Sequence, residues 1–289
     1  MGETEEKSEL GGERIAKVLA RAGVASRREV ERMIAAGRVA LEGAVLTTPA
    51  VLVDGLEGIT VDGCPVAPAM SARLWRYHKP PGLITSHRDT RGRATVFEHL
   101  PKHLPRVISV GRLDLASEGL LLLTNDGGLA RWMSLPATGW TRRYRVRVHG
   151  RVDEEALAGL AGGIAIDGIR YGPITAEIER ASGSNAWLRM TLREGKNREI
   201  RRVLAALGLA VNRLIRTGYG PFTLGSLPRG GVAEVPQKAL LGAAADYFRT
   251  ARPSVALARR TRPDPAKWAK PKPKPPRPGG RRRQARKKV

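Results

Sequence analysis

The chain of 289 residues lacks the sequence features of secreted, metal-binding and membrane-spanning proteins. Its single cysteine, Cys64, excludes an internal disulfide and a zinc site made of several cysteines, and we expect it to be at least half-buried. The histidines show no metal-ligand spacing, because Pro101 interrupts the helix face that His99 and His103 would share. No apolar run approaches the roughly 18 residues of a spanning helix, and residues 1–10 are too acidic for a signal peptide. These absences predict a cytoplasmic protein without a metal ion.

Acidic residues are also scarce, and their shortage leaves a large positive charge. The chain has 51 Lys and Arg against 27 Asp and Glu, so its formal net charge is +24. A polyanion is the natural partner of such a chain, and nucleic acid is the commonest polyanion. A membrane surface would need an amphipathic anchor or a lipidation signal beside the charge, and the sequence has neither. The charge therefore favours a nucleic-acid-binding protein and leaves a DNA-binding architectural protein as one alternative.

Changes in composition divide the chain into four predicted parts. Residues 1–10 are predicted to be disordered, residues 11–68 to form a small domain, and residues 72–247 to form a larger α+β domain with two or three helices. Residues 248–289 are predicted to be a disordered tail, because they are rich in Lys, Arg and Pro and cannot bury a core. Such a tail is typical of an electrostatic tether to RNA or, alternatively, of a solubilising segment.

The small domain is predicted to begin with two helices. Apolar residues at helical spacing predict a helix over residues 13–22, and Ser26 offers an N-cap to a second helix with Glu29 as its capping-box partner. Short strands are then predicted at residues 39–41, 51–53 and 59–61, and Asp62-Gly63 is typical of a turn. Basic residues cluster on or beside the second helix, where they form either an RNA-binding surface or an ordinary solvated face: Arg21, Arg27, Arg28, Arg32 and Arg38.

The sequence of this helical segment resembles a known RNA-binding module. RIAKVLARAGVASRREVERMIAAGRVALEG, residues 14–43, is similar to the S4 domain, also called the αL domain. The resemblance implies that Arg27, Arg28 and Arg32 contact RNA. One departure is Glu42, where the family usually has an Asn before the glycine, and we expect this change to weaken a polar contact and not the fold.

The most informative stretch of the larger domain is VISVGRLDLASEGLLLLTNDGGL, residues 107–129. One apolar strand precedes Gly-Arg-Leu-Asp, and a second apolar strand follows it and ends at a turn sequence. Asp114 is therefore predicted in a loop that two buried strands support. Arg112, two residues earlier, would favour the ionised carboxylate. Because an Asp in a loop is most often a turn residue, this stretch alone does not identify a reactive group.

Two further stretches contain residues suited to chemistry. HKPPGLITS, residues 78–86, is predicted to be a turn between strands. REGKNREIRRVLAALGL, residues 193–209, is predicted to be a loop followed by a helix. The apolar residues of that helix lie on one face, so three arginines are predicted at the edge of this face or on the outer side: Arg198, Arg201 and Arg202. The loop glycine and its basic neighbours suit a phosphate, although the spacing of a nucleotide-triphosphate loop is absent.

Together these stretches resemble the branch of the pseudouridine synthase family that acts on ribosomal RNA and carries an N-terminal S4 domain. The similarity covers roughly residues 11–240, and GRLDLASEGLLLLTNDG matches the catalytic motif with Ser117 where the family generally has Thr. TRRYRVRV and EGKNREIRRVLAALGLAVNRLIRTGYGPFTLG match two further family motifs. The resemblance implies an α+β catalytic domain with a mixed, mainly antiparallel sheet, an RNA cleft across it and no cofactor.

The resemblance also assigns roles to individual residues. It aligns Asp114 with the nucleophile, Tyr144 with the tyrosine that packs against the target base, and Arg201 with the basic residue that pairs with the Asp; Arg198 is the second choice for that pair. The other residues predicted to contact RNA in this domain are Arg112, Lys196, Arg198 and Arg202. The structural alternatives are a core tyrosine at Tyr144 and a surface helix charge at Arg201.

The function that the resemblance implies is the isomerisation of a specific uridine to pseudouridine in ribosomal RNA, more like the 23S than the 16S type. Asp114 would either attack ribose C1′ or remove a ribose proton. We expect a monomer that binds ribosomal RNA or a pre-ribosomal particle and no membrane. The alternatives are the same reaction on 16S rRNA and a non-catalytic RNA-binding factor in ribosome assembly.

Overall fold

The computed structural model of the protein describes residues 12–250, which contain both helices and strands. Residues 1–10 and most of the predicted tail lie outside the described residues. The last helix extends to Thr250, so residues 248–250, which were assigned to the tail, are helical. Within residues 12–250, no helix is long and apolar enough to cross a membrane.

The N-terminal region folds around two short helices, α1 (Ile15–Arg21) and α2 (Arg27–Ala35). Ser26 caps α2 as predicted, because its Oγ accepts the N–H of Glu29 at 3.2 Å. The strands of this region are β1 (Glu13–Arg14), β2 (Val39–Leu41), β3 (Ala44–Val45), β4 (Leu52–Val53), β5 (Ile59–Val61) and β6 (Cys64–Pro65). The helices and strands share a core of Ile15, Ala16, Leu19, Val30, Met33, Ile34, Val39 and Ile59.

Details of this region differ from the sequence-based expectations. Glu13 and Arg14, which were predicted to begin the first helix, form the strand β1. Cys64 is exposed and not half-buried, because it lies in a two-residue strand at the edge of a small sheet. Glu42 has a φ of 48°, a left-handed conformation in which Asn is several-fold enriched over most residues. The departure from the family's Asn at this position therefore acts on the backbone conformation.

The larger region is organised around one mixed sheet. Its strands and the accompanying hairpin are β7 (Leu74–Lys79), β8 (Ile108–Val110), β9 (Ser117–Thr124), β10 (Arg142–His149), β11 (Ile164–Ile166), β12 (Ile169–Tyr171), β13 (Ile174–Ser182), β14 (Asn185–Leu192), β15 (Ala210–Tyr219), β16 (Phe222–Thr223) and β17 (Val232–Glu234). The main sheet has the order β13-β14-β10-β15-β9-β7-β17, with β16 beside β15 and β8 beside β9, while β11 and β12 pair separately. Within this sheet the β9–β15 pair is parallel and the others are antiparallel. The predicted mixed, mainly antiparallel sheet is therefore confirmed.

Strand β9 is buried along its whole length and separates two hydrophobic cores. Leu120 and Leu122 pack on one face of the sheet, and Leu121 and Leu123 pack on the other. A continuous apolar run is the expected sequence of a strand that is covered on both faces. The run of leucines thus predicts the buried strand that follows the Asp114 loop.

Gly119 allows β15 to lie close to β9. Its φ is 104°, and a Cβ atom at this position would lie 2.3 Å from the carbonyl oxygen of Arg216 on β15. No side chain could be accommodated at such a distance without moving one of the strands. The parallel contact at the centre of the sheet therefore depends on this glycine.

The larger region has five short α-helices and not two or three. They are α3 (Gly127–Ser134), α4 (Glu154–Gly159), α5 (Glu199–Ala206), α6 (Gln237–Ala243) and α7 (Ala245–Thr250). The last two and α4 have only six or seven residues, which is too short for a clear helical repeat in the sequence. The longer helices α3 and α5 cover opposite parts of the sheet, each with its own core.

Candidate active site

A cleft of about 720 Å³ opens beside the neighbouring strands β9, β15 and β10. Residues from all three stretches that sequence analysis singled out line it: Thr85 from the turn after β7, Asp114 from the loop before β9, and Arg198 from the loop before α5. Tyr144 of β10 lines the same cleft. The fold thus brings together segments that are far apart in the sequence.

The turn after β7 holds the Asp114 loop through its backbone. Oγ1 of Thr85 donates to the carbonyl of Leu113 at 2.9 Å and accepts the N–H of the same residue at 3.3 Å. The N–H of Gly82 donates to the carbonyl of Leu115 at 2.8 Å. The peptides on both sides of Asp114 are therefore fixed, which limits the positions that its carboxylate can take.

Lys79 is a buried cation that holds the other end of this loop. Its side chain is fully buried, and Nζ donates to the carbonyls of Ser117 at 2.8 Å and of Pro80 at 3.0 Å. Burial lowers the pKa of Lys79 to about 8, and the negative charges of Asp114 and Glu118 partly oppose that shift. Sequence analysis did not identify this residue, because its contact with Ser117 joins segments that are distant in the sequence.

The carboxylate of Asp114 is accessible from the cleft and faces a guanidinium. About a third of its side chain is exposed, and Oδ2 lies 3.8 Å from Nη1 of Arg198. Arg198 has a φ of 51° and immediately precedes α5, so a strained backbone turns its side chain toward the loop. The ion pair that the resemblance assigned first to Arg201 is therefore made by the second choice, Arg198.

Arg201 is half-buried and ties α5 to the backbone on both sides of the cleft. Nη1 donates to the carbonyl of Val211 at 3.0 Å, and Nη2 donates to the carbonyl of Ala116 at 3.3 Å. Burial lowers the pKa of Arg201, the charge of Arg198 lowers it further, and Asp114 opposes both. Arg201 thus fixes the loop that carries the carboxylate.

The other predicted residues of this region divide into two groups. Tyr144, Arg112 and Lys196 line the cleft with Asp114. Tyr144 is half-buried and follows a β-bulge in the pairing of β10 with β15. Arg202 is exposed and does not line the cleft.

A pair of carboxyl groups shapes the loop before α5, and sequence analysis did not identify it. Glu199 is almost fully buried, and its Oε2 accepts the N–H of Lys196 at 2.9 Å. Burial and the neighbouring carboxyl group of Glu194 raise the pKa of Glu199 to about 7. Glu194 accepts a hydrogen bond from the N–H of Gly172 at 2.6 Å and forms an ion pair with Lys196 at 2.7 Å. Burial alone would raise the pKa of Glu194, but the contacts with Lys196 and Gly172 outweigh it and lower the pKa. The pair holds the loop that carries Arg198.

Comparison with known proteins agrees with this geometry. Residues 73–206 match the RNA pseudouridylate synthase family, and residues 13–57 match the S4 domain. An RNA pseudouridine synthase of Rickettsia felis is 46% identical over 228 residues, which are 79% of this chain and 99% of the relative. The chain belongs to the RNA pseudouridine synthase family.

Two further similarities extend the match. Ribosomal large subunit pseudouridine synthase B of Salmonella typhi is 43% identical to this synthase over 231 residues, which are 77% of the chain and 79% of the relative. A crystal structure of a pseudouridylate synthase has a TM-score of 0.56 and 26% identity, and the match covers 78% of this chain and 97% of that one. The predicted family and fold are therefore confirmed.

The arginines predicted in the S4 domain of this synthase lie outside the cleft. Arg27, Arg28 and Arg32 are exposed on α2. Arg32 pairs with Glu29 at 2.5 Å. Arg27 lines a second groove of about 590 Å³, and the arginines Arg106 and Arg131 of the catalytic region line it as well. The S4 charges therefore lie on a surface that is separate from Asp114.

Proposed function

We propose that this synthase isomerises a specific uridine to pseudouridine in ribosomal RNA, and that the RNA is 23S rRNA. The similarity to ribosomal large subunit pseudouridine synthase B supports the substrate. The shared cleft of Asp114, Tyr144 and Arg198 supports the chemistry and is the observation on which the proposal rests. The S4 domain and the net charge of +24 support binding to a large RNA.

The reaction breaks the bond between ribose C1′ and uracil N1 and forms a bond between C1′ and C5. The C5 proton is removed and N1 takes up a proton, so that nothing is gained, lost or oxidised overall and side chains of the cleft can act as the catalysts. In the proposed mechanism Asp114 is the nucleophile, which divides one difficult step into two easier ones. The guanidinium of Arg198, 3.8 Å from Oδ2, orients the carboxylate for that role.

The target uridine must leave its stack before its ribose can reach Asp114. Flipping a nucleotide costs a few kcal/mol, and stacking on an aromatic ring recovers about 1–3 kcal/mol of that cost. Tyr144 is half-buried at the wall of the cleft, and its aromatic ring is the proposed surface on which the flipped base stacks. Arg201 is proposed to act indirectly, as a positioning residue that holds the carbonyl of Ala116 beside Asp114.

The test is pseudouridine formation in purified 16S and 23S rRNA transcripts by wild type and by Asp114→Asn. We expect the variant to lose at least about 10³-fold in rate, because the amide has the shape of the carboxylate without its nucleophilicity. Asp167→Asn is the matched control, since Asp167 is exposed in the turn between β11 and β12, and it should keep the wild-type rate. A wild-type rate for Asp114→Asn would contradict the proposal.

The same two substrates separate the alternatives. If pseudouridine forms only in 16S rRNA, the proposed reaction is correct and the proposed 23S substrate is wrong. If the wild type forms no product in either RNA, and if Asp114→Asn fully restores ribosome assembly in a deletion strain, the chain is a non-catalytic assembly factor. Mapping the pseudouridines that the deletion strain loses would identify the target nucleotide.

A further inference from the structure

Two buried arginines lie at the floor of the cleft. Arg142 of β10 and Arg216 of β15 are only 9% and 3% exposed, and both line the cleft with Asp114. Their guanidinium carbons lie 5.0 and 5.1 Å from the ring centroid of Tyr219. The floor of the cleft is therefore a tyrosine ring with a buried cation at each of two positions around it.

The hydrogen bonds that these guanidinium groups make within residues 12–250 go to uncharged oxygens. The acceptors are the carbonyls of Trp140 and Arg193 and the hydroxyl of Tyr219 for Arg142, and the carbonyl of Leu120 for Arg216. The Nη2 atom of Arg216 is buried and has no hydrogen-bond partner. A buried cation is normally paired with an anion and has its donors satisfied, because an unpaired charge is costly to bury.

Another arginine of the same strand, at an exposed position, has a carboxylate partner. Arg213 of β15 pairs with the buried carboxylate of Glu118, and Arg229 reaches the same carboxylate at 2.9 Å. β15 therefore carries one arginine with a carboxylate partner, and another, Arg216, that lines the cleft and donates to the neutral carbonyl of Leu120. The difference lies in the cleft that Arg216 lines, which has room for an anion from outside.

We propose that Arg142 and Arg216 form the binding site for a phosphodiester group of the RNA strand beside the target uridine. The proposal rests on the proposed function, because it takes RNA as the ligand in the cleft of Asp114. A phosphate supplies the negative charge and the several acceptor oxygens that these cations lack. A uracil carbonyl would accept one hydrogen bond and leave both charges unpaired.

This site would also fix the register of the strand. Phosphate contacts set the position of a nucleic acid on a protein without reading its sequence. Tyr144 lies opposite Arg216 in the pairing of β10 and β15, so that a phosphate held at the floor places the adjoining nucleotide near the tyrosine ring and the Asp114 carboxylate. Arg142 and Arg216 are thus substrate-binding residues that determine which nucleotide enters the cleft.

The first test uses inorganic phosphate as the probe and thermal unfolding as the readout, at an ionic strength held constant with NaCl. Phosphate should raise the Tm of the wild type by neutralising the buried cations. The rise in Tm with phosphate should be smaller in Arg216→Met and in Arg142→Met, because each variant lacks one of the two cations. Arg180→Met, at an exposed position of β13, should respond to phosphate as the wild type does.

Two results of this experiment would overturn the proposal. A lower Tm of Arg216→Met together with an unchanged phosphate response would make Arg216 a structural residue of the core. An equal phosphate response in wild type and Arg142→Met would exclude Arg142 from the site. If Arg216→Met does not fold, Arg216→Lys replaces it; lysine keeps the charge and loses the fork of donors, so the phosphate response should fall but not vanish.

The second test measures binding of a 23S rRNA transcript as a function of salt concentration in the Asp114→Asn background. Each lost phosphate contact should reduce the slope of log K against log salt by about 0.7, so Arg216→Gln should lower it by that amount and Arg180→Gln should not. Equal slopes for both variants would contradict the phosphate site. Neither test requires turnover, so a wild type that forms no pseudouridine would contradict the proposed function and leave both tests valid.

Discussion

The S4 domain and the catalytic cleft present their basic residues in different settings. Arg27, Arg28 and Arg32 are exposed on α2, where solvent and salt screen their charges. Lys79 and Arg216 are buried in the catalytic region and donate to backbone carbonyls of the strands and loops around Asp114. The first group can supply affinity for RNA without being part of the fold, whereas the second group is part of the fold and of the cleft at once.

This difference predicts that substitutions in the two regions will affect different properties. A change on α2 should act on the affinity for RNA and on its salt dependence. A change at a buried cation should act on the free energy of unfolding and on turnover together, because the same hydrogen bonds maintain the fold and position the Asp114 carboxylate.

The largest effect is expected for Lys79→Met. Methionine fills the space of the lysine but leaves the carbonyls of Ser117 and Pro80 without their donor, at a cost of about 3 kcal/mol in the free energy of unfolding. Turnover should fall as well, because the Asp114 loop loses one of its supports. Urea denaturation and the rate at saturating RNA measure both effects, and Lys238→Met, at an exposed position of α6, is the control. If Lys79→Met had the same free energy of unfolding as wild type, the buried basic residues would not differ from the exposed ones in their effect on stability.

A pH-dependent effect is expected for Glu199→Gln. Since the folded state raises the pKa of Glu199 from 4.5 to about 7, its contribution to stability is fully present below pH 4.5 and is lost as the pH rises through 7. Glutamine stays neutral and can still accept the N–H of Lys196. The free energy of unfolding of the variant, relative to that of wild type, should therefore increase by about 2 kcal/mol as the pH rises from 5 to 8. Glu177→Gln, at an exposed position, should show no such trend in urea denaturation. If the difference in free energy of unfolding between Glu199→Gln and wild type did not change with pH, the raised pKa of Glu199 would be contradicted.

A smaller effect on stability, with a clear effect on binding, is expected when the exposed group is removed. The triple variant Arg27→Gln, Arg28→Gln, Arg32→Gln should keep its free energy of unfolding within about 0.5 kcal/mol and its rate at saturating RNA. The slope of log K against log salt should fall by about 2, since three phosphate contacts are lost. A matched triple variant at Arg151, Arg180 and Arg189, which are exposed in the catalytic region, should keep the wild-type slope. A lower rate at saturating RNA would mean that α2 also shapes the active site.

The smallest effect is expected for Glu42→Asn in the S4 domain. Asparagine tolerates the left-handed conformation at this position better than glutamate, so the free energy of unfolding should rise by about 0.5 kcal/mol. Glu42→Gln removes the same charge without the conformational gain and is the matched control in urea denaturation. An equal rise for both variants would assign the effect to the charge.

The sequence was sufficient for the elements with strong local signals. Helical spacing and the cap at Ser26 predict α2, and the structure confirms it. The apolar runs around Gly-Arg-Leu-Asp predict that Asp114 lies between two buried strands; β9 is fully buried, whereas β8 is only partly buried. The domain boundaries and the roles of the site residues stay predictions. Those made for residues 1–10 and for most of the tail fall outside the described residues.

The sequence was not sufficient where burial depends on distant segments. Lys79 is buried because the backbone at Ser117, on the neighbouring strand, folds over it, and nothing near it in the sequence indicates that contact. The choice between Arg198 and Arg201 depends on a left-handed backbone at Arg198, which turns the side chain toward Asp114. Arg142 and Arg216 are the same residue type as the less buried Arg143 and Arg213 of the same strands, and only the packing of the sheet distinguishes them.

The contact of β15 with Gly119 on β9 has a consequence for biosynthesis. The two strands pair in parallel, and β10 to β14 and α5 are translated between them. At about 5–20 residues per second, the leucine run of β9 leaves the ribosome seconds before its partner and needs protection from aggregation during that time. The nascent chain cannot complete its cleft before β15 has emerged, so the cleft is the last part of the main sheet's centre to form during synthesis.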